Sequence, residues 1–191
     1  MNVRNPIIPI TCALVGLAVA GAVAPPALAD HGHSSGKHQP KGELVRIVRE
    51  ATARFHDVAV AEAEGYQLHF GCVSADDAGA MGLHYVNMAL VGDGELHADR
   101  PEIVIYEPLP GGRLRLVGAD YLVLTEDWHA RNGAAPPELV GQLLHLFHSP
   151  NRFGLPDFYT LHVWAWKKNP SGTFVNWHPE VSCEAFDGQA H

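Results

Sequence analysis

Apolar residues follow two different periods along this chain. From residue 43 they recur every three or four positions, the spacing that brings side chains to one face of a helix. The apolar positions of this stretch are Leu44, Ile47, Val48, Ala51, Phe55, Val58, Ala59 and Ala63. Gly65 follows them, and glycine commonly ends a helix. The pattern predicts an amphipathic helix over residues 43–64.

Beyond Gly65 the apolar residues form short β-rich runs separated by glycine and proline. They predict five strands, at residues 66–70, 83–87, 102–107, 113–124 and 158–166. Residues 109–112 form a turn between two of these strands, and a register with Glu107 opposite Leu114 segregates the apolar side chains. That register puts Asp120 on the mostly apolar face. The order of elements predicts an α+β domain, an N-terminal helix packed on an antiparallel sheet of about five strands.

A further short helix is predicted over residues 136–147, because two prolines precede apolar positions at helical spacing. His145 and His148 share one face of that helix with Glu138 and Gln142, which makes them a candidate metal pair. The same face lies opposite the apolar one. A solvated helix surface is therefore the alternative interpretation.

The first 29 residues are typical of an export signal. Arg4 precedes an apolar run at residues 7–24, and the small-residue pattern Ala27-Leu28-Ala29 follows. We expect cleavage before Asp30 and a secreted or periplasmic protein without a stable membrane anchor. An uncleaved anchor is the alternative, since the run is barely long enough to span a bilayer. Residues 30–41 contain no apolar side chain that could anchor them, so a mobile tail is predicted.

The composition indicates the domain number, the disulfide and the class of partner expected for the chain that remains after cleavage. A chain of 191 residues with 47% apolar residues suits one domain, at residues 42–191. Only Cys72 and Cys183 remain, and an oxidising compartment favours a disulfide between them over a pair of thiolate metal ligands. The formal net charge is −8 and no basic run occurs, which argues against a nucleic-acid partner. A metal ion or small molecule is the expected partner.

Histidine is the residue type that stands out. All 13 histidines lie after residue 30, in the part of the chain that follows the predicted cleavage site. In the tail, the new amino group of Asp30 would lie beside His31 and His33, and such donors suit square-planar Cu(II) or Ni(II). A polar spacer is the alternative role for this segment.

The internal candidates are His84 and His162, each inside a predicted strand. Asp120 is the preferred third donor, because an unpaired carboxylate on an apolar face is costly. Glu107 is less favoured, since it can reach solvent or pair with Arg113. Two imidazoles and a carboxylate would bind a divalent transition metal such as zinc or copper. Ring centres more than about 8 Å apart would exclude a shared ion.

Two alternatives stay open at the level of sequence. The histidines can be hydrogen-bonded core residues, and Trp164 with Trp166 can line a binding face for a small molecule or glycan. No nucleophile motif and no phosphate-binding loop stands out. Catalysis is therefore left open, with metal-assisted hydrolysis or oxidation as the natural class if it occurs.

Three motifs resemble a group of secreted bacterial proteins of unknown activity: residues 79–87 (GAMGLHYVN), 101–108 (PEIVIYEP) and 161–172 (LHVWAWKKNPSG). The resemblance covers about residues 45–183. It implies export and a single domain, and it implies no particular chemistry. In that group an asparagine stands where this chain has His178, and a glutamate where it has Asp120.

Overall fold

An antiparallel sheet of six strands forms the centre of the protein. The structure is a computed structural model and describes the backbone of residues 40–188 and the side chains of residues 42–188. The proposed signal at residues 1–29 and the tail histidines His31 and His33 lie outside the described residues. The described residues belong to one compact unit.

Eight strands are present in the described part of the chain. They are β1 Gln67–Ala75, β2 Gly79–Val86, β3 Ile103–Leu109, β4 Arg113–Leu124, β5 Glu138–Leu139, β6 Gln142–Leu143, β7 His145–Phe147 and β8 Phe158–Val163. Six of them form the curled main sheet in the order β1-β2-β3-β4-β8-β7, and β5 pairs with β6 separately. The five predicted strands correspond to β1, β2, β3, β4 and β8. The antiparallel sheet is thereby confirmed, with one strand more than predicted.

The helices are short. They are α1 Pro40–Thr52, a 3₁₀ helix Ala53–His56, α2 Val58–Ala63, α3 Met88–Val91 and α4 Thr125–Asn132. One continuous helix over residues 43–64 was therefore the wrong expectation. Asp57 has extended dihedrals, and its carboxylate accepts a hydrogen bond from the Ala59 amide, so it caps a new helix instead of continuing the old one. The packing of the N-terminal helix on the sheet stays a prediction.

The predicted helix over residues 136–147 is also wrong, because this segment forms β5, β6 and β7. Val140 and Gly141 have φ angles of 48° and 76°. Two consecutive residues with positive φ make the turn of a tight hairpin, which pairs Leu139 with Gln142. Leucines three or four residues apart therefore belong here to short strands and not to a helix face.

A bulge between β3 and β4 changes the predicted hairpin register. Glu107 pairs with Arg115 instead of Leu114, and beyond the irregularity Ile105 pairs with Gly118 and Ile103 with Asp120. Val117 is the extra, unpaired residue of this bulge in β4. Leu116 and Asp120, on either side of it, therefore lie on opposite faces of the strand. A bulge of this kind increases the local twist and bend of a sheet, which contributes to its curl.

The two faces of the sheet have different contents. His84 lies on one face of β2, and its chain neighbours Leu83 and Tyr85 lie on the other, in a cluster with Tyr106 and Leu116. Cys72 pairs in register with Leu83, so the disulfide to Cys183 starts on this second face. The predicted Cys72–Cys183 disulfide is confirmed. Among residues 40–188, every helix lacks the length or the apolar content needed to cross a membrane.

Candidate metal centre

Three strands of the main sheet each contribute one potential metal ligand to the same face. His84 lies on β2, Asp120 on β4 and His162 on β8. Asp120 and His162 are direct cross-strand partners in the β4–β8 ladder. On β3, Ile105 is the partner of His84 and Ile103 the partner of Asp120. Since alternate residues of a strand share a face, all three side chains project from one side of the sheet.

The curl of the sheet brings these side chains together. In a flat sheet, β2 and β8 would be three strand spacings apart, or about 14 Å. The ring centroids of His84 and His162 are nevertheless only 6.2 Å apart. One ligand atom from each of His84, Asp120 and His162 lies within 4.8 Å of the other two. The predicted condition for a shared ion, ring centres within about 8 Å, is met.

The two imidazoles are buried, and their ring nitrogens differ in their hydrogen-bond partners. Nδ1 of His84 donates a hydrogen bond to the Gly82 carbonyl at 3.1 Å. Because a carbonyl only accepts, this bond fixes the tautomer and leaves the lone pair on Nε2, as in metal-ligating histidines. Nε2 of His162 is buried and has no hydrogen-bond partner among the described residues. An unpaired buried nitrogen costs about 1–3 kcal/mol unless a ligand uses it.

Burial keeps both rings neutral, which is the form that binds a metal. It lowers the pKa of His84 to about 4, against the opposing effect of the Gly82 carbonyl. Burial also lowers the pKa of His162 far below its usual range, and the nearby imidazoles of His84 and His178 act in the same direction. No proton therefore competes with an ion for these rings near neutral pH.

Asp120 is a buried carboxylate, and none of the described residues forms an ion pair with it. Its Oδ1 accepts a hydrogen bond from the Thr160 hydroxyl at 2.6 Å. Burial raises the pKa of Asp120 to about 7, although that hydrogen bond acts in the opposite direction. A divalent cation beside this carboxylate would supply the positive charge that the surrounding side chains do not.

The ligand group opens onto a small cavity with mostly apolar walls. Its volume is about 30 Å³, and one water molecule needs about 10–15 Å³. Thr160 and Asn176 are its polar lining residues apart from the ligand group; the apolar lining includes Phe70, Met81, Phe147, Phe153, Leu155 and Phe158. An ion held by the three donors would therefore border a small space with mostly apolar walls.

The three donors fit a transition metal after a small adjustment. Bonds of about 2.0–2.2 Å to one tetrahedral ion bring its ligand atoms to about 3.3 Å from one another. The present separations of up to 4.8 Å therefore have to shrink by about an ångström or slightly more. Rotations of the side chains can supply such a movement without changing the strand pairing. The group of His84, Asp120 and His162 can hold a metal ion.

The other predicted carboxylate and histidines lie elsewhere. Glu107 is buried, but Lys167 contacts both of its oxygens at 3.1 Å and Arg115 also bonds to it, so its charge is compensated. His145 lies on β7 opposite Thr160. His148 Nδ1 lies 2.8 Å from Asp157 Oδ2. His145 and His148 therefore do not form a pair on a helix face, because that helix does not exist.

The two tryptophans of the alternative binding face are separated in the structure. Trp164 is buried, packs on His162 with ring centroids 4.5 Å apart, and donates its indole N–H to the Val175 carbonyl. Trp166 donates to the Thr52 hydroxyl and contacts His56. Because β8 ends at Val163, the strict alternation that would put both rings on one face does not continue beyond it.

Sequence reasoning missed most of the residues around the ligand group. Thr160 is the exception: it lies two positions before His162 in the predicted strand, so alternation puts both on one face, and both line the cavity. Phe153 and Leu155 lie in the loop at residues 148–157. A loop has no hydrophobic period, so the sequence contained no signal for their place beside the cavity.

The comparisons with known proteins add no relative to this description. No family model, no curated protein and no solved structure matches the chain. The functional argument therefore depends on the geometry and chemistry of the described residues.

Proposed function

We propose that this protein is an exported domain that binds one divalent transition metal ion, with zinc or copper as candidates. Nε2 of His84, Nε2 of His162 and a carboxylate oxygen of Asp120 are the proposed ligands. The observation that supports this most directly is the convergence of three buried donors to within 4.8 Å of one another. When bound, an ion with three protein ligands supplies a Lewis-acid position for a water or another small molecule.

The chemistry around the donors favours a ligand role over a purely structural one. A hydrogen-bonded core histidine has partners for its ring nitrogens, and His178 in this protein is an example. Its Nε2 lies 3.1 Å from the Lys168 carbonyl, and its Nδ1 accepts from the Glu180 amide. Nε2 of His162 has no such partner among the described residues. The two histidines differ in the way that separates a structural residue from a potential ligand.

Export is the second part of the proposal. It is supported by the signal-like pattern of residues 1–29 and by the disulfide between Cys72 and Cys183, which is stable in an oxidising compartment. The test is expression of the full chain in a bacterial host, followed by N-terminal sequencing of protein from the periplasm or medium. We expect Asp30 as the first residue. Recovery only of uncleaved chain in the membrane fraction would contradict cleavage.

Elemental analysis of untagged protein tests the metal centre. We expect stoichiometric metal that is removed by a chelator and restored by Zn(II) or Cu(II), with titration calorimetry as the measurement. A variant that lacks residues 30–41 should retain it, because the proposed ligands lie outside the tail. The tail histidines His31 and His33 stay a separate prediction of weaker binding, which this deletion would remove.

Matched variants identify the ligands. Asp120→Asn and His84→Gln should lose the ion, since the first removes the charge and the second the imidazole. Asp77→Asn and His145→Gln change exposed residues of the same types and should bind like the wild type. Circular dichroism checks that each variant is folded. Loss of all metal on deletion of the tail, or full metal content in Asp120→Asn and His84→Gln, would refute the internal site.

A further inference from the structure

The cavity beside the ligand group has room for very little besides a metal ion. Its volume of about 30 Å³ corresponds to about two or three water molecules. A bound ion takes part of that space. The remaining space suits one or two non-hydrogen atoms, so the size of the cavity sets a limit on what can bind at the open side of the ion.

Two phenylalanine side chains from separate segments meet at the wall of this cavity. Phe70 lies on β1, and Phe153 lies in the loop between β7 and β8. Their rings are 5.3 Å apart between centroids and meet edge to face. Phe153 also contacts Phe158 on β8, with centroids 6.3 Å apart. This contact joins the first strand of the sheet to the loop that connects the two strands at the opposite edge of the sheet.

Hydrogen bonds within the loop hold Phe153 in this position. The Asn151 carboxamide accepts from the Phe153 amide at 3.1 Å and donates to the Leu155 carbonyl at 2.9 Å. Arg152 donates to the Ser74 carbonyl of β1 at 3.0 Å. The ring of Phe153 is therefore fixed against β1 by bonds on both sides of it in the chain. Moving the ring would require breaking some of these contacts.

We propose that Phe153 restricts the external ligand of the metal ion to one or two non-hydrogen atoms, the size of water or of a diatomic gas. This inference rests on the metal centre proposed above. A cavity that binds benzene has a volume of about 150 Å³, so a ring-sized ligand exceeds the space that Phe153 and the other lining residues leave, whereas a diatomic molecule fits it. Phe153 is thus a specificity-determining residue that does not contact the ion itself.

The test uses the full chain, loaded anaerobically with Fe(II) as a probe ion because two imidazoles and a carboxylate suit it. Nitric oxide is the diatomic probe, and imidazole is the ring-sized competitor. The electron paramagnetic resonance signal of the iron–nitric oxide adduct reports binding. We expect the signal in wild-type protein to survive a large excess of imidazole. In Phe153→Ala the same excess should abolish it.

Phe174→Ala is the matched control, because Phe174 packs in a different cluster away from this cavity and should behave like the wild type. Phe153→Leu replaces Phe153→Ala if the smaller variant does not fold. Equal displacement, or equal resistance, in wild type and the Phe153 variants would overturn the size limit while leaving the metal centre intact. Absence of a nitric oxide signal despite full iron content would also overturn it. Failure to retain iron would overturn this inference, and failure to retain zinc and copper as well would refute the metal centre itself.

Discussion

His162 combines a buried position with a ring nitrogen that has no partner among the described residues. His162→Phe keeps an aromatic ring against Trp164 and removes that nitrogen. We expect the metal-free variant to be more stable than metal-free wild type by about 1 kcal/mol, since an unsatisfied buried polar atom is eliminated. We also expect it to lose all stabilisation by added metal.

Urea denaturation with and without chelator measures both effects. His145→Phe is the control, because His145 is exposed on β7 and lies outside the ligand group. A purely structural histidine would give the opposite result, namely a large loss of stability in His162→Phe with no dependence on metal. Such a loss would contradict the ligand role.

Glu102 provides a prediction about pH. Its carboxyl is 2% exposed, and burial raises its pKa to about 8 even though it accepts a hydrogen bond from the Leu122 amide. A carboxyl whose pKa is higher in the folded state binds a proton more tightly there. Its contribution to stability is therefore complete below the unfolded pKa of about 4.5 and is lost as the pH rises toward 8.

Glu102→Gln keeps the shape and removes the titration. We expect the variant and the wild type to have similar free energies of unfolding at about pH 4. At about pH 9 the variant should be more stable by a few kcal/mol. Urea unfolding at both pH values measures the difference. A wild type that gains stability relative to Glu102→Gln as the pH rises would show that the sign is wrong.

At the level of single residues, the sequence was informative where a strand fixed the direction of a side chain. His84, Asp120 and His162 were found because alternation in strands assigns each to a face. Glu107 satisfied the same criterion and was a weaker candidate because it could reach solvent or pair with Arg113. In the structure Glu107 pairs with Arg115 on the neighbouring strand and with Lys167, which comes from a distant part of the chain that no local pattern connects to Glu107.

At the scale of elements, close contact between β4 and β8 positions two of the three ligands. A Cβ added at Gly118 would lie 2.3 Å from the Val163 carbonyl oxygen, so only glycine permits this approach. Gly118→Ala should push β8 away from β4, destabilise the protein by about 2–3 kcal/mol and weaken metal binding. Gly42→Ala, where nothing lies within 4 Å of the added atom, should leave metal binding unchanged and, because Gly42 lies in α1, should not destabilise the protein.

Thermal unfolding and metal titration of the two glycine variants check this prediction. Destabilisation of Gly118→Ala with unchanged metal affinity would mean that the β4–β8 spacing supports the fold without positioning the ligands. Wild-type behaviour in both measurements would mean that the strands adjust to the extra atom at little cost.

The elements also show why the sequence located the sheet and missed its curl. Long alternating runs such as β4 are unambiguous, and its bounds, Arg113–Leu124, are those predicted. The extra residue Val117 does not alter the composition of the run, so its bulge was invisible. Likewise, leucine spacing could not exclude a helix over residues 136–147, because the deciding feature is a positive φ at Val140, which β-branched residues rarely adopt.

At the scale of the whole molecule, the disulfide encloses most of the described chain. Cys72 and Cys183 are 111 residues apart, and closing a loop of that size removes unfolded-state entropy worth about 4–5 kcal/mol. Cys72→Ser combined with Cys183→Ser should lower the free energy of unfolding by about that amount. Urea denaturation of the metal-free protein measures it. A loss below about 1 kcal/mol would contradict the entropic estimate.

All three proposed ligands lie between the two cysteines along the chain. An ion bound by them would close smaller loops inside the loop that the disulfide already closes. The disulfide and the bound ion thus restrict the same unfolded conformations. Whichever forms second has less conformational entropy of the unfolded chain left to remove. A bound ion should therefore stabilise the folded state of the reduced chain more than that of the oxidised chain. Loss of either the disulfide or the ion is then partly offset by the other.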